Sequence, residues 1–314
     1  MKERTITLRE LLAEEQVVAP CVFDNISVRA VELAGYTAAV LSGAGLAYSM
    51  CGVPDMGLLN AEELLWMTNR LTDYTPLPVV VDAGNGYGES PSAAYLTALR
   101  LAKSGAMAIT IDDTTGICGT DRSFAADAAP VSVVSFDTYL AKIKAAVKAC
   151  ENTECIVIAK TDALVSLGME EAIRRCSAAR AIGAELTMIE GVHTLAQAEE
   201  IAAADAGMKV WPDMTVVDGA PEVDLSDLDH LGFRLVLMHY TEKAAFFGML
   251  YYGKRTREDG NTVFHDTHDF DGILSPGQDY HELFSFWKKW LPMEDKFNDL
   301  SDIMQIEHEI KAAE

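Results

Sequence analysis

Eight short apolar runs, separated by helix-like stretches, limit what this chain can fold into more than any other feature. They are 17–23 (VVAPCVF), 38–43 (AAVLSG), 78–84 (PVVVDAG), 106–113 (AMAITIDD), 155–162 (CIVIAKTD), 185–191 (ELTMIEG), 209–214 (KVWPDM) and 233–240 (FRLVLMHY). Each is rich in β-branched residues and too short for a helix, the pattern of strands buried on both faces. Helical candidates fill the gaps at 60–73, 91–104, 135–150, 169–182 and 194–206. Alternation of this kind implies a parallel sheet. Eight repeats suggest closure into a (β/α)8 TIM barrel, an α/β fold, with an open doubly wound sheet as the alternative. Past residue 240 the pattern gives way to a helix, an irregular stretch (253–279) and closing helices. With no boundary in view, residues 1–314 read as one domain, its barrel over about 17–250 and a C-terminal segment over about 251–314.

Net charge is −23, which argues against nucleic acid or an anionic membrane as partner. Six cysteines (Cys21, Cys51, Cys118, Cys150, Cys155, Cys176) lack any CxxC pair, so no zinc knuckle is suggested. The opening MKERTITLRELLAEEQ is a charged helix lead-in, and no apolar run reaches the roughly 18 residues of a membrane span. The expectation is a cytoplasmic protein with reduced thiols.

A parallel barrel carries its site at the C-terminal strand ends. Those ends are Asp24, Ser42–Gly43, Asp82, Asp112–Asp113, Lys160, Glu190, Asp213 and His239. So many carboxylates on one mouth repel each other unless a cation sits among them, and a divalent metal with oxygen ligands answers that economically. The glycine-rich VVVDAGNGYGES (79–90) fails both phosphate tests: it lacks Gly-Lys-Ser/Thr, and it lacks GxGxxG opening a helix. His193 and His239 read as packing or hydrogen-bonding residues. HDTHD (265–269) lies in an irregular acidic stretch and is not read as a dedicated metal site.

LSGAG…CGVPDMG, VVVDAGNGYG, ITIDD…CGT, IAKTDA and GAELTMIEG follow one another as in the isocitrate lyase/phosphoenolpyruvate mutase superfamily, which the chain resembles over about 17–250. A weaker echo follows in FWKKWLPMEDKFNDL (286–300). The resemblance implies a barrel whose last helix is swapped between subunits of a homotetramer or homodimer. It also implies Mg2+ or Mn2+ chelated by an α-keto or α-hydroxy acid, and cleavage of a C–C or P–C bond through an enolate. Carried over by position, Asp82 resembles the direct metal ligand, while Asp55 and Asp112 resemble carboxylates holding metal-bound waters. Ser42, Gly43 and Ala44 resemble the turn that binds the substrate carboxylate. Lys160 stands where an arginine usually grips substrate oxygens, Glu190 matches a sixth-strand carboxylate, and Tyr87 resembles a ring near the bound acid.

Departures accompany the match. Gly84 replaces the second acid of the usual Asp-x-Asp-Thr-Gly-Tyr-Gly pattern, and Asn85 replaces its threonine. The lyase loop Lys-Lys/Arg-Cys-Gly-His is reduced to ICGT, with Cys118 as the candidate acid/base but without its basic neighbour or histidine. The implied activity is a carbon–carbon lyase of the 2-methylisocitrate or 2,3-dimethylmalate kind, cleaving a 2-hydroxy di- or tricarboxylate to pyruvate or a related keto acid. Oxaloacetate decarboxylation or hydrolysis and phosphonate chemistry are the alternatives, and a barrel that only binds an acid is a third.

Overall fold

Strand parity organises the molecule. In the computed structural model, which describes residues 6–115, 131–214, 216–217, 220–268, 272–273, 279–301, 303, 304 and 306, eight parallel strands close on themselves. They are β1 (Val17–Val22), β2 (Ala39–Leu41), β3 (Val79–Asp82), β4 (Ala108–Ile111), β5 (Ile156–Thr161), β6 (Leu186–Ile189), β7 (Lys209–Trp211) and β10 (Phe233–Met238). A two-stranded antiparallel ladder, β8 (Val216–Val217) and β9 (Ala220–Pro221), follows β7 and is not part of the barrel. All eight expected strands are present, and closure of β1 on β10 and β2 excludes the open sheet. The fold is a (β/α)8 barrel.

Side chains alternate across each strand, so every second residue points inward. The inward set (Val17, Ala19 and Cys21 on β1, Ile156 and Ile158 on β5, Leu235 and Leu237 on β10) packs into one buried cluster. The helices are α1 (Leu8–Glu14), α2 (Asn25–Leu33), α3 (Gly43–Leu46), α4 (Ala61–Tyr74), α5 (Pro91–Lys103), α6 (Phe136–Cys150), α7 (Ala163–Leu167), α8 (Met169–Ala181), α9 (Leu195–Ala204), α10 (Leu225–His230), α11 (Thr241–Asp259), α12 (Val263–Thr267), α13 (Tyr280–Ser285) and α14 (Trp287–Asn298). Outward strand residues such as Val79, Val81, Ile109 and Val157 meet the first of these helices in a second cluster. Helix α1 starts from a Thr7–Glu10 capping box, and its Leu8, Leu11 and Leu12 join the inner cluster. Arg9 pairs with Glu185 at 2.8 Å, just before β6, so α1 closes the N-terminal end of the barrel and leaves the other end for chemistry.

The chain divides into two compact units, Met1–Gly248 and Met249–Glu314. The first holds the barrel. The second holds the end of α11 with α12 to α14, and within it Phe264 stacks on His268 at 5.0 Å. Among the described residues no helix is long and apolar enough to cross a membrane.

Parity also separates the consecutive acids at the end of β4. Asp112 turns toward the mouth, whereas Asp113, fully buried, turns outward to α8. There Asp113 takes Arg175 Nη1 at 2.9 Å, the Thr161 hydroxyl at 2.5 Å and the Asp162 N–H at 2.9 Å. Burying both charges is costly unless each is fully hydrogen-bonded, and removing one partner strands the other. Asp113→Ala is therefore expected to lower unfolding stability by about 3–5 kcal/mol in urea titrations.

Candidate active site

The strand parity that fills the barrel also sets its rim. Following each inward series to the C-terminal rim gives Cys21, Ser42, Asp82, Asp112, Lys160, Glu190 and His239. Lys160 lies between carboxylates: its Nζ is 3.0 Å from Glu190 Oε2, and Asp162, Asp82 and Asp112 all act on it electrostatically. Burial alone would push the ammonium down, but these four acids outweigh it and hold it well above the ordinary lysine value.

Asp82 and Asp112 share one design. Asp82 Oδ1 accepts from the Thr110 hydroxyl (2.7 Å) and the Gly84 N–H (3.1 Å). Asp112 Oδ1 accepts from the Thr114 hydroxyl (2.6 Å) and N–H (2.9 Å). The second oxygen of each makes no hydrogen bond among the described residues. Asp82 Oδ2 lies 4.0 Å from where a Cβ on Gly43 would sit, and Asp112 Oδ2 lies 3.9 Å from a Cβ position on Gly84. Gly84 has φ +49°, a left-handed conformation that glycine adopts freely, and its bare backbone borders the Asp112 oxygen. Burial pushes Asp82 up, but Lys160, Thr110 and Gly84 outweigh it and hold the carboxyl below its ordinary value. For Asp112 burial wins, helped by the charge on Asp82, and its carboxyl is raised.

The other expected residues are placed as follows. Ser42, buried, caps α3 by accepting the Gly45 N–H at 2.9 Å, and Gly43 lies beside Asp82. Ala44 follows in the first turn of α3, where N–H groups have no intrahelical acceptor. A π-helical turn, Ala47–Cys51, leads into the loop that carries half-buried Asp55. Tyr87 has a left-handed backbone (φ 58°), and its ring turns to a cavity bounded by α4 and α5, with Leu64, Ala93 and Leu101. Cys118 lies outside the described residues, as do Asp269 and the side chains of His265 and Asp266 in HDTHD.

Two features escaped the sequence reading. Asp162, two residues past Lys160, is half-buried, with its Oδ2 enclosed and unpartnered among the described residues. Burial raises its carboxyl well above the ordinary value, as do Asp112, Glu190 and Asp113, and Lys160 only partly offsets them. His239 pairs through Nδ1 with Asp213 Oδ1 at 3.0 Å, above the buried Cys21. The strand ends marked Asp213 and His239 but not Asp162, and only the register between neighbouring strands could show which of them meet.

The phosphoenolpyruvate phosphomutase family model matches residues 8–249. An oxaloacetate decarboxylase of Paraburkholderia xenovorans is 34% identical over 230 residues, 73% of this chain and 73% of that protein. A 2-methylisocitrate lyase of Salmonella typhimurium is 31% identical over 253 residues, 80% of this chain and 81% of that one. The solved structure of oxaloacetate acetylhydrolase with the inhibitor 3,3-difluorooxalacetate superposes with a TM-score of 0.77 at 27% identity, covering 92% of this chain and 94% of that chain.

The raised Asp162 carboxyl has a consequence for stability. The folded state binds its proton more tightly than the unfolded state does, so the stability it contributes is full below the ordinary value of 3.8. That contribution is lost as pH rises from there through the raised folded value. Asp162→Asn, which keeps the shape and removes the titration, is expected to flatten this fall. Urea unfolding from pH 4 to 8 should show the variant gaining on the wild type as pH rises, and parallel curves would refute the assignment.

Proposed function

The chain belongs to the phosphoenolpyruvate phosphomutase family, in the isocitrate lyase/phosphoenolpyruvate mutase superfamily, and from that premise we propose a Mg2+-dependent carbon–carbon lyase. Its substrate is a small acid that carries a hydroxyl or keto oxygen beside a carboxylate. One observation carries the reading: Asp82 and Asp112, fixed through Oδ1, each present an unbonded Oδ2 at a mouth whose ammonium, Lys160, is already shared among four acids.

That donor set fits a hard cation. Among the described residues no group of three or more His, Cys, Asp or Glu is gathered to hold a metal unaided. Mg2+ keeps several waters and commonly binds through one or two carboxylates together with its substrate, so two oxygens suffice. Asp82 would hold the ion directly, with Asp112 and Asp55 acting through waters, and Mn2+ would be accepted on the same oxygens. When bound, the ion supplies Lewis-acid stabilisation of the charge that develops on the substrate oxygen.

The chain's own groups do the rest. Gly43 and Ala44, at the start of α3, offer N–H groups to the substrate carboxylate, and Ser42 holds that turn in shape. Lys160 donates to the oxygen that becomes negative as the bond breaks, and Glu190 keeps the ammonium charged and aimed. Cys118 remains the loop candidate for proton transfer, and Tyr87 supports the glycine-rich turn from behind.

A 2-hydroxy di- or tricarboxylate of the methylisocitrate kind, yielding pyruvate or a related keto acid, is the first substrate class. The 34% identical decarboxylase favours oxaloacetate as a second reading. Large exposed apolar side chains on α11, including Phe246, Phe247 and Met249, support a homo-oligomer in which that helix is covered by a partner subunit.

The test offers oxaloacetate, 2-methylisocitrate and 2,3-dimethylmalate to the metal-stripped and the Mg2+-loaded protein, with products followed by NMR. Turnover of at least one, abolished by EDTA, is expected. Asp82→Ala should lower it by about 100-fold or more, since a metal contributes several kcal/mol to such a step. An unchanged rate in that variant would remove Asp82 from the site.

A further inference from the structure

At the closed end of the barrel, away from the mouth, two cysteines meet. Cys150 ends α6 and Cys155 immediately precedes β5, so only four residues separate them. One threonine folds that connection shut. The Thr153 N–H and hydroxyl both donate to the Cys150 carbonyl, each at 2.9 Å, and the same hydroxyl oxygen accepts the Cys155 N–H at 3.1 Å. Both side chains join the cluster between strands and helices, at 5% and 3% exposure, with their thiols in hydrogen-bonding reach of each other. Packing explains an apolar cysteine at either position, but it does not require the two thiols to touch.

Their surroundings make the two sulfurs unequal. The hydrogen bond from Cys155 lowers the Cys150 thiol below its ordinary value, against burial and the charge of Glu185. Cys155 is pushed well above its ordinary value by that same hydrogen bond and by burial. Arg9 and Glu185 are the charges that act on the pair, and Arg9 also reaches across to Glu154 in the turn at 3.2 Å. A thiol readied as the attacking thiolate, with a second in reach to displace what it captures, is the arrangement of a redox-active dithiol. Glu151, Asn152 and Glu154 are exposed, so a local opening of this one turn uncovers the sulfurs.

We propose that Cys150 and Cys155 form a reversible disulfide site whose reactant is a low-molecular-weight disulfide of the glutathione kind. Cys150 Sγ, as thiolate, attacks one sulfur of the reactant. That S–S bond breaks, and the released small thiolate takes up a proton. Cys155 Sγ then loses its proton to solvent and attacks Cys150 Sγ, displacing the second small thiolate, which is protonated in turn. The two protein thiols give up two electrons and two protons, and the small disulfide becomes two thiols. A reducing compartment reverses the exchange, so the pair stays a dithiol until the thiol poise turns oxidising. Lys160 lies five residues on, about 17 Å away by the rise of a strand, so the site is independent of the lyase reading.

The experiment equilibrates the full chain in buffers of fixed reduced-to-oxidised glutathione ratio, quenches with N-ethylmaleimide and digests with trypsin without reduction. Both cysteines fall on one tryptic peptide, 149–160. It carries two maleimide adducts when reduced; when bridged it carries none and is two hydrogens lighter than the free dithiol. The same titration in urea gives the equilibrium constant of the bridge in the unfolded chain. The folded constant is expected to exceed it by about tenfold or more, because the fold already holds the thiols together. A folded constant equal to or below the unfolded one overturns the proposal, as does a peptide that keeps both thiols throughout. Cys155→Ser, which lacks the second thiol, should accumulate glutathione on Cys150. A variant that stays unmodified, or a wild-type bridge to a different cysteine, refutes the pairing. Should the variant fail to fold, the two wild-type titrations decide by themselves.

Discussion

Lys160 sets the electrostatics on which the mouth depends. Its ammonium, little exposed on β5, is shared among Glu190, Asp162, Asp82 and Asp112. A single cation cannot satisfy four acids, and the strain is divided unequally. Asp82, tied to Thr110 and Gly84, keeps its charge, while Asp112 and Asp162 are pushed toward the protonated form. Two carboxylates driven in opposite directions at one site are characteristic of catalytic clefts. The same imbalance is what the proposed hard cation would relieve.

Most of the architecture was legible in the residues because the barrel repeats one rule eight times. A β-branched run ending in a polar residue needs no tertiary information to be read as strand and rim, and Asp82, Lys160 and His239 all emerge that way. What was not legible depends on neighbours distant in sequence. Asp113 looked like a companion of Asp112, and only α8, with Arg175 62 residues on, explains why it faces away. Tyr87 looked like a site ring, but the left-handed turn that carries it directs the side chain to the α4–α5 layer. His239 read as a packing or hydrogen-bonding residue, and it does hydrogen-bond, but its partner Asp213 follows another strand and could not be named from the sequence. Cys118 belongs to a segment outside the described residues, and its role stays with the resemblance that named it.

The departure at Gly84 becomes easier to understand in three dimensions. The motif's second acid would have its Cβ 3.9 Å from Asp112 Oδ2, on a backbone at φ +49°. In a mouth that already crowds carboxylates around one lysine, another negative charge there would raise the neighbouring acids further. Glycine keeps the turn and spares the repulsion, which leaves Asp82 and Asp112 as the acids of the proposed metal site.

The buried Asp113–Arg175 pair has a mechanical consequence. Asp112 and Asp113 are consecutive, so the backbone that aims the first is bolted from behind by the second, to α8 through Arg175 and to the end of β5 through Thr161 and the Asp162 N–H. Tilting the tip of β4 to follow a larger or smaller acid would break that anchorage. The β4–β5 side of the mouth thus behaves as a rigid jaw. Any adaptation to substrates of different size falls to the opposite jaw, on β1, β2 and β10, where Ser42 and His239 stand.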